Sequence, residues 1–141
     1  MSDVLAVLGE ETVEHNGKSW LVSRLDFIGE GRYTKFLQTN ALRAIEQNLD
    51  ILMRLPDGYR TALASWERDC ATREYTWGSE TARKSLLNDD CLQEAVYLSL
   101  SRKQPDLSRD EFGPLWEARK HELAAAFYKV YAATPTTAHQ G

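Results

Sequence analysis

Apolar and polar positions change period along this chain, and each change marks a predicted element. Lys18, Trp20 and Val22 alternate with Ser19, Leu21 and Ser23, the period-two pattern of a strand. Residues 11–15 form a second short run, and the pair between the runs is Asn16-Gly17. That dipeptide suits a type I′ turn because both of its central positions need positive φ. The spacing therefore predicts a β-hairpin that buries the Trp20 and Val22 face. An isolated hairpin is marginal in water, so this one needs a surface to pack on.

After Leu25 the period lengthens. Gly29 and Gly31 are read as a break, with a helix from Arg32 onward. Leu37, Ala41, Ala44, Ile45, Leu49 and Leu52 recur at steps of three and four, and so share one helical face. Leu55-Pro56-Asp57-Gly58 punctuates the chain. A second stripe follows in Tyr59, Ala62, Leu63, Trp66 and Cys70, and then an aromatic loop holding Tyr75 and Trp77. Ser79 is placed to cap a short helix containing Ala82, Leu86 and Leu87. A helix over residues 91–101 has apolar residues around most of its circumference, which predicts burial on several sides. It ends before Pro105, because the residue ahead of a proline avoids the α region. Ser108 and Glu111 have the spacing of a capping box opening the last helix, with an interruption expected at Gly113-Pro114. The predicted fold is mainly α: a small helical domain of about five or six helices with an N-terminal β-hairpin. Residues 1–10 are read as an N-terminal arm, 11–133 as a single domain and 134–141 as a flexible polar tail. Leu63, Trp66, Leu92 and Val96 are the expected core positions, each lying well inside its stripe.

Composition narrows the classes of function. The 141 residues carry 17 basic and 21 acidic side chains, a net charge of -4, with both signs interspersed. Such a chain is a poor binder of phosphate backbones, so no nucleic-acid partner is expected. No run approaches the length of a membrane span, and no basic segment followed by an apolar core suggests a secretion signal. A cytoplasmic location follows as the expectation.

Candidate chemistry is sparse. Cys70 and Cys91 form no C-x-x-C pair, and His15, His121 and His139 are scattered singly, so no metal site is expected. Both cysteines read as small hydrophobes at helical stripes. Gly29-Glu30-Gly31 lacks the third glycine and the βαβ setting of a dinucleotide fingerprint. Asp89-Asp90 reads as a helix-start pair complementing the dipole. Glu10-Glu11 and Asp110-Glu111 read as solvated carboxylates. The chain is accordingly expected to be no enzyme, with no catalytic residues and no cofactor.

The order of features resembles that of a known family. The hairpin Thr12-Val13-Glu14-His15-Asn16-Gly17-Lys18-Ser19-Trp20-Leu21-Val22 precedes a helical body. Its later part reads Tyr97-Leu98-Ser99-Leu100-Ser101-Arg102-Lys103-Gln104-Pro105-Asp106-Leu107-Ser108-Arg109-Asp110-Glu111-Phe112. This layout, over most of residues 11–133, resembles the tail assembly chaperones of long-tailed bacteriophages. There too a hydrophobic helix runs into a basic stretch, a proline and a capped last helix. The Gly113-Pro114 interruption and the aromatic-rich helix after it depart from the simplest form of that pattern.

The resemblance implies a factor of the host bacterial cytoplasm that binds the tape measure protein and keeps it soluble. It would hold that client until tail tube protein polymerises around it, and would be absent from the mature virion. Many such phages also make a longer frameshifted form of the chaperone, a further partner the resemblance implies. A small neck or tail adaptor retained in the virion is the alternative. Four Trp and six Tyr supply large amphipathic side chains of the kind that dominate interfaces. Trp116, Phe127 and Tyr131, on one broad face of the last helix, are the expected client-binding residues. The competing reading is that this same face closes the protein's own core.

Overall fold

The computed structural model describes residues 9–133. The readings made above for the arm upstream of Gly9 and for the tail from residue 134 lie outside the described residues. In chain order come β1 (Glu10–His15), β2 (Lys18–Ser23), α1 (Phe27–Gln47), α2 (Leu49–Leu52), α3 (Gly58–Ala71), α4 (Glu80–Ser85), α5 (Asp89–Lys103) and α6 (Arg109–Ala133). The protein is thus a mainly α fold of six helices and an N-terminal two-stranded hairpin, counted among the described residues.

Within the span read from sequence as a single domain, the chain forms two compact units. One joins the segment up to Gly29 to the segment from Asp89 onward, and the other is Glu30–Asn88.

The first unit is built on the hairpin. Asn16 and Gly17 both have positive φ, 51° and 75°, the backbone that an Asn-Gly turn favours. The antiparallel register sets Val13 opposite Trp20 and Glu11 opposite Val22. These four share the enclosed face, which packs on α5 and α6. Leu92, Ala95, Val96, Leu98 and Leu100 are buried on α5, the many-sided burial that its apolar circumference predicts. Leu115, Trp116, Leu123, Ala126, Phe127 and Val130 are buried on α6.

The outer edge of β2 is closed by side chains of α5 and of Gln104, the residue that follows it. The Leu21 N–H donates to Gln104 Oε1 at 2.9 Å, and Gln104 Nε2 donates back to the Leu21 carbonyl at 3.2 Å. The Ser99 hydroxyl donates to the Ser23 carbonyl, and the Arg102 guanidinium reaches the Arg24 carbonyl at 2.8 Å. Exposed strand edges invite pairing with other chains, and here polar side chains occupy one of them.

The second unit has its enclosed residues at one end. Tyr33 and Leu37 of α1, with Ala82 and Leu86, are buried. The Tyr33 hydroxyl lies 2.5 Å from that of Ser85, which itself donates to the Ala82 carbonyl. Trp77 packs edge-on against the Tyr33 ring at 5.2 Å, and its main-chain N–H donates to the Thr34 hydroxyl.

Three local expectations need correction. The first helix begins at Phe27, five residues ahead of Arg32, and carries Gly29 and Gly31 inside it. The Asp26 carboxylate accepts from the Gly29 N–H at 2.7 Å, and this cap offsets the helix-weakening effect of glycine. The irregularity in α6 lies at Arg119 (φ −128°, ψ 27°) and not at Gly113-Pro114. Pro114 sits near the start of the helix, where its missing N–H leaves only the Asp110 carbonyl without a donor. At the bend, Arg119 Nε donates to His15 Nδ1 at 3.3 Å. Finally, Leu63 and Trp66 are only part-buried, whereas Leu92 and Val96 are enclosed as expected.

Candidate interaction surface

Trp116, Phe127 and Tyr131 occupy different environments. Trp116 is 4% exposed and Phe127 2%, whereas Tyr131 is 36% exposed. Phe127 and Tyr131 stack with ring centroids 6.1 Å apart. Trp116 stands eleven residues before Phe127, beyond the bend at Arg119, and packs on Phe112 at 6.0 Å. Tyr131 alone of the three is exposed to an incoming chain. Beside it the Tyr128 phenol is also exposed, and partial burial followed by the nearby Asp89 carboxylate pushes its pKa up.

A different surface emerges in the second unit. From residue 38 to residue 81 no side chain is buried. Yet this stretch holds both apolar stripes apart from Leu37: Ala41, Ile45 and Leu52 are part-buried and Ala44 exposed on one arm, and Tyr59, Ala62, Leu63, Trp66 and Cys70 are part-buried on the other. Between the arms, Leu49, Ile51, Met53 and Leu55 are exposed outright, Ile51, Met53 and Leu55 by more than half of their surface.

Local sequence explains how this helical hairpin forms. Asp57 turns the chain with a φ of 56°, and α3 starts at Gly58. A Cβ on Gly58 would lie 2.4 Å from the Leu52 carbonyl oxygen, so only glycine fits this close approach. The Trp66 indole N–H donates to the Gln38 carbonyl at 2.9 Å, tying α3 to α1. The arms are therefore fixed by a turn and a hydrogen bond, and their apolar stripes remain incompletely covered.

Periodicity alone could not separate these stripes from core, because a stripe that awaits a partner has the same spacing as one already buried. The usable signal was the run Leu49-Asp50-Ile51-Leu52-Met53-Arg54-Leu55, in which apolar residues fall on every side of a short turn. A four-residue helix cannot bury all of them.

The acid–base inventory of this surface is modest. The Cys70 thiol is pushed above its ordinary value by partial burial and then by the Asp69 and Glu67 carboxylates, which favours the neutral, unreactive form. Among the described residues no group of three or more His, Cys, Asp or Glu is placed to hold a metal ion, and no helix is long and apolar enough to cross a membrane. Compared with protein-family models, curated proteins and solved structures, the chain matches none.

Proposed function

We propose that this chain is a non-enzymatic assembly chaperone that receives an apolar helix of its client on the open helical hairpin of the Glu30–Asn88 unit. The observation that carries the proposal is the lack of any buried side chain over residues 38–81, although two apolar stripes run through them. Two amphipathic helices with incompletely covered stripes form a groove that a third helix completes. The client would gain cover for its own apolar face while the charged outer faces keep the pair in solution. Following the resemblance to tail assembly chaperones, the client is the tape measure protein, handed over as tail tube protein polymerises, in the host cytoplasm. Participation of a longer frameshifted form belongs to the same reading.

The test is co-expression with a tape measure protein, followed by measurement of its soluble fraction. The chain is expected to keep the client soluble, and the double variant Ile51→Ser, Met53→Ser to lose that effect at an unchanged melting temperature. Both side chains are already exposed, so their truncation leaves no cavity. A client that stays insoluble with the native chain overturns the proposal. Retention of the protein in purified virions would favour the neck or tail adaptor instead.

A further inference from the structure

A second opening lies in the other unit and is independent of the helical hairpin. The pairing of β1 with β2 leaves two outer edges, and α5 with the Gln104 that follows it closes only that of β2. The Leu21 N–H and C=O point away from β1, since both bond to Gln104. In an antiparallel ladder its partner Thr12 then also points its N–H and C=O outward, on the opposite edge. The same alternation applies to Glu14. No side chain or backbone group among the described residues bonds to the Thr12 main chain.

Beside this edge lies a cavity of about 330 Å³. Residues 11–14 form one wall, and Glu122, Ala125, Ala126 and Lys129 of α6 form the other. The α6 residues fall at steps of three and four, so they make one helical flank, and its centre is two alanines. Small side chains there leave room for the side chains of a further strand.

The charge of the walls selects what fits. Glu11 and Glu122 line the cavity with a single ammonium, that of Lys129, while the Glu14 carboxylate accepts from the Ser19 hydroxyl at 2.6 Å on the other face of the hairpin. Lys129 Nζ is 3.4 Å from Glu11 Oε2. That oxygen is enclosed yet accepts no hydrogen bond, so the ion pair leaves it incompletely satisfied. A second copy of the chain is disfavoured as occupant. Pairing β1 with β1 would set the carboxylates of Glu10, Glu11 and Glu14 beside one another across the new ladder.

We infer that the outer edge of β1 is a docking site for an extended, lysine- or arginine-bearing peptide segment, which adds to the hairpin as a third strand. Main-chain bonds to Thr12 and Glu14 hold the segment. One set of alternate side chains lies over Ala125 and Ala126 beside Glu122, and the other, basic, lies on the face that carries Glu14.

The probe is a synthetic peptide of alternating lysine and valine, titrated into the full chain while amide exchange is followed by NMR. The expected result is saturable binding with new protection of the Thr12 and Glu14 amides. N-methylation of the peptide's bonding amides keeps its charge and removes its donors, so it is expected to weaken binding about tenfold or more. Thr12→Pro removes the outward N–H without touching the pairing to β2, and is expected to have a similar effect. Glu122→Lys, an exposed change, weakens binding without altering the melting temperature. No binding by about 1 mM peptide overturns the inference. So does binding that survives N-methylation, which would be charge attraction alone. Protection of Thr12 in the free protein, or self-association lost on Thr12→Pro, would mean that the edge is already occupied by this chain or by a copy of it, and would overturn it equally.

Discussion

Trp66 and Leu92 occupy comparable positions in their apolar stripes, yet they contribute differently. Leu92 is enclosed, and its truncation to alanine is expected to cost about 2–5 kcal/mol, because it leaves a cavity. Trp66 is only part-buried, and its indole makes one hydrogen bond to a helix carbonyl. Trp66→Ala is therefore expected to cost only about 1–2 kcal/mol, the sum of one bond and partial burial. Denaturant melts of the two variants check the order, and equal losses would mean that the second unit is closed over Trp66. Cys70, near the end of the same stripe, carries a pH consequence. Its raised pKa leaves less thiolate in the folded than in the unfolded chain at every pH up to the folded value. Alkylation at pH 8 is expected to be slower for Cys70 in the native protein than in urea, with the gap closing as pH rises above the folded pKa. Faster native reaction would contradict the neutral-thiol environment.

Elements differ in how far local sequence determined them. Asn16-Gly17, Ser79 and the Ser108–Glu111 capping box each act within a few residues, and each was legible. The Ala82 N–H donates to Ser79 Oγ at 3.1 Å, and the Glu111 N–H to Ser108 Oγ at 3.1 Å. The start of α1 was misjudged because two glycines outweighed a single capping aspartate in the local pattern. Asp26→Ala is expected to cost about 0.5–2 kcal/mol, the usual range for an N-cap. Should it cost nothing in thermal melts, the Gly29 amide is satisfied by another group. Closure of the β2 edge by Gln104 was not legible at all. It depends on a residue 83 positions away, and a glutamine before a proline carries no local sign of such a role. Gly58 was legible as a turn, but the reason for glycine there is long-range packing against the Leu52 carbonyl. Gly58→Ala forces a backbone shift at the tip of the helical hairpin. It is expected to destabilise by about 1–3 kcal/mol in urea melts, whereas an unaffected midpoint would mean that the tip is looser than its geometry indicates.

At the scale of the whole molecule, enclosure is unevenly shared between the two units. The unit that includes the hairpin, α5 and α6 holds most of the buried apolar residues, and in the Glu30–Asn88 unit they are confined to Tyr33, Leu37, Ala82 and Leu86. Composition cannot reveal such a division, because both units draw on the same residue types at the same helical spacing. It arises from which stripes find a partner within the chain, a property of packing rather than of pattern. Local opening should follow enclosure, since segments with few buried contacts open at lower free energy than the core does. Native-state hydrogen exchange is therefore expected to rank α5 slowest, with amides near Ala95, Val96 and Leu100 exchanging only on global unfolding. Helical amides of residues 38–81 should exchange through smaller openings. A client helix seated between the arms would cover both stripes and raise that local opening free energy, so protection should rise there while α5 stays unchanged. Two results would count against this. If residues 38–81 were as protected as α5 in the free protein, the hairpin would already be closed. If a bound client raised protection only around Tyr128 and Tyr131, the receiving surface would lie on α6.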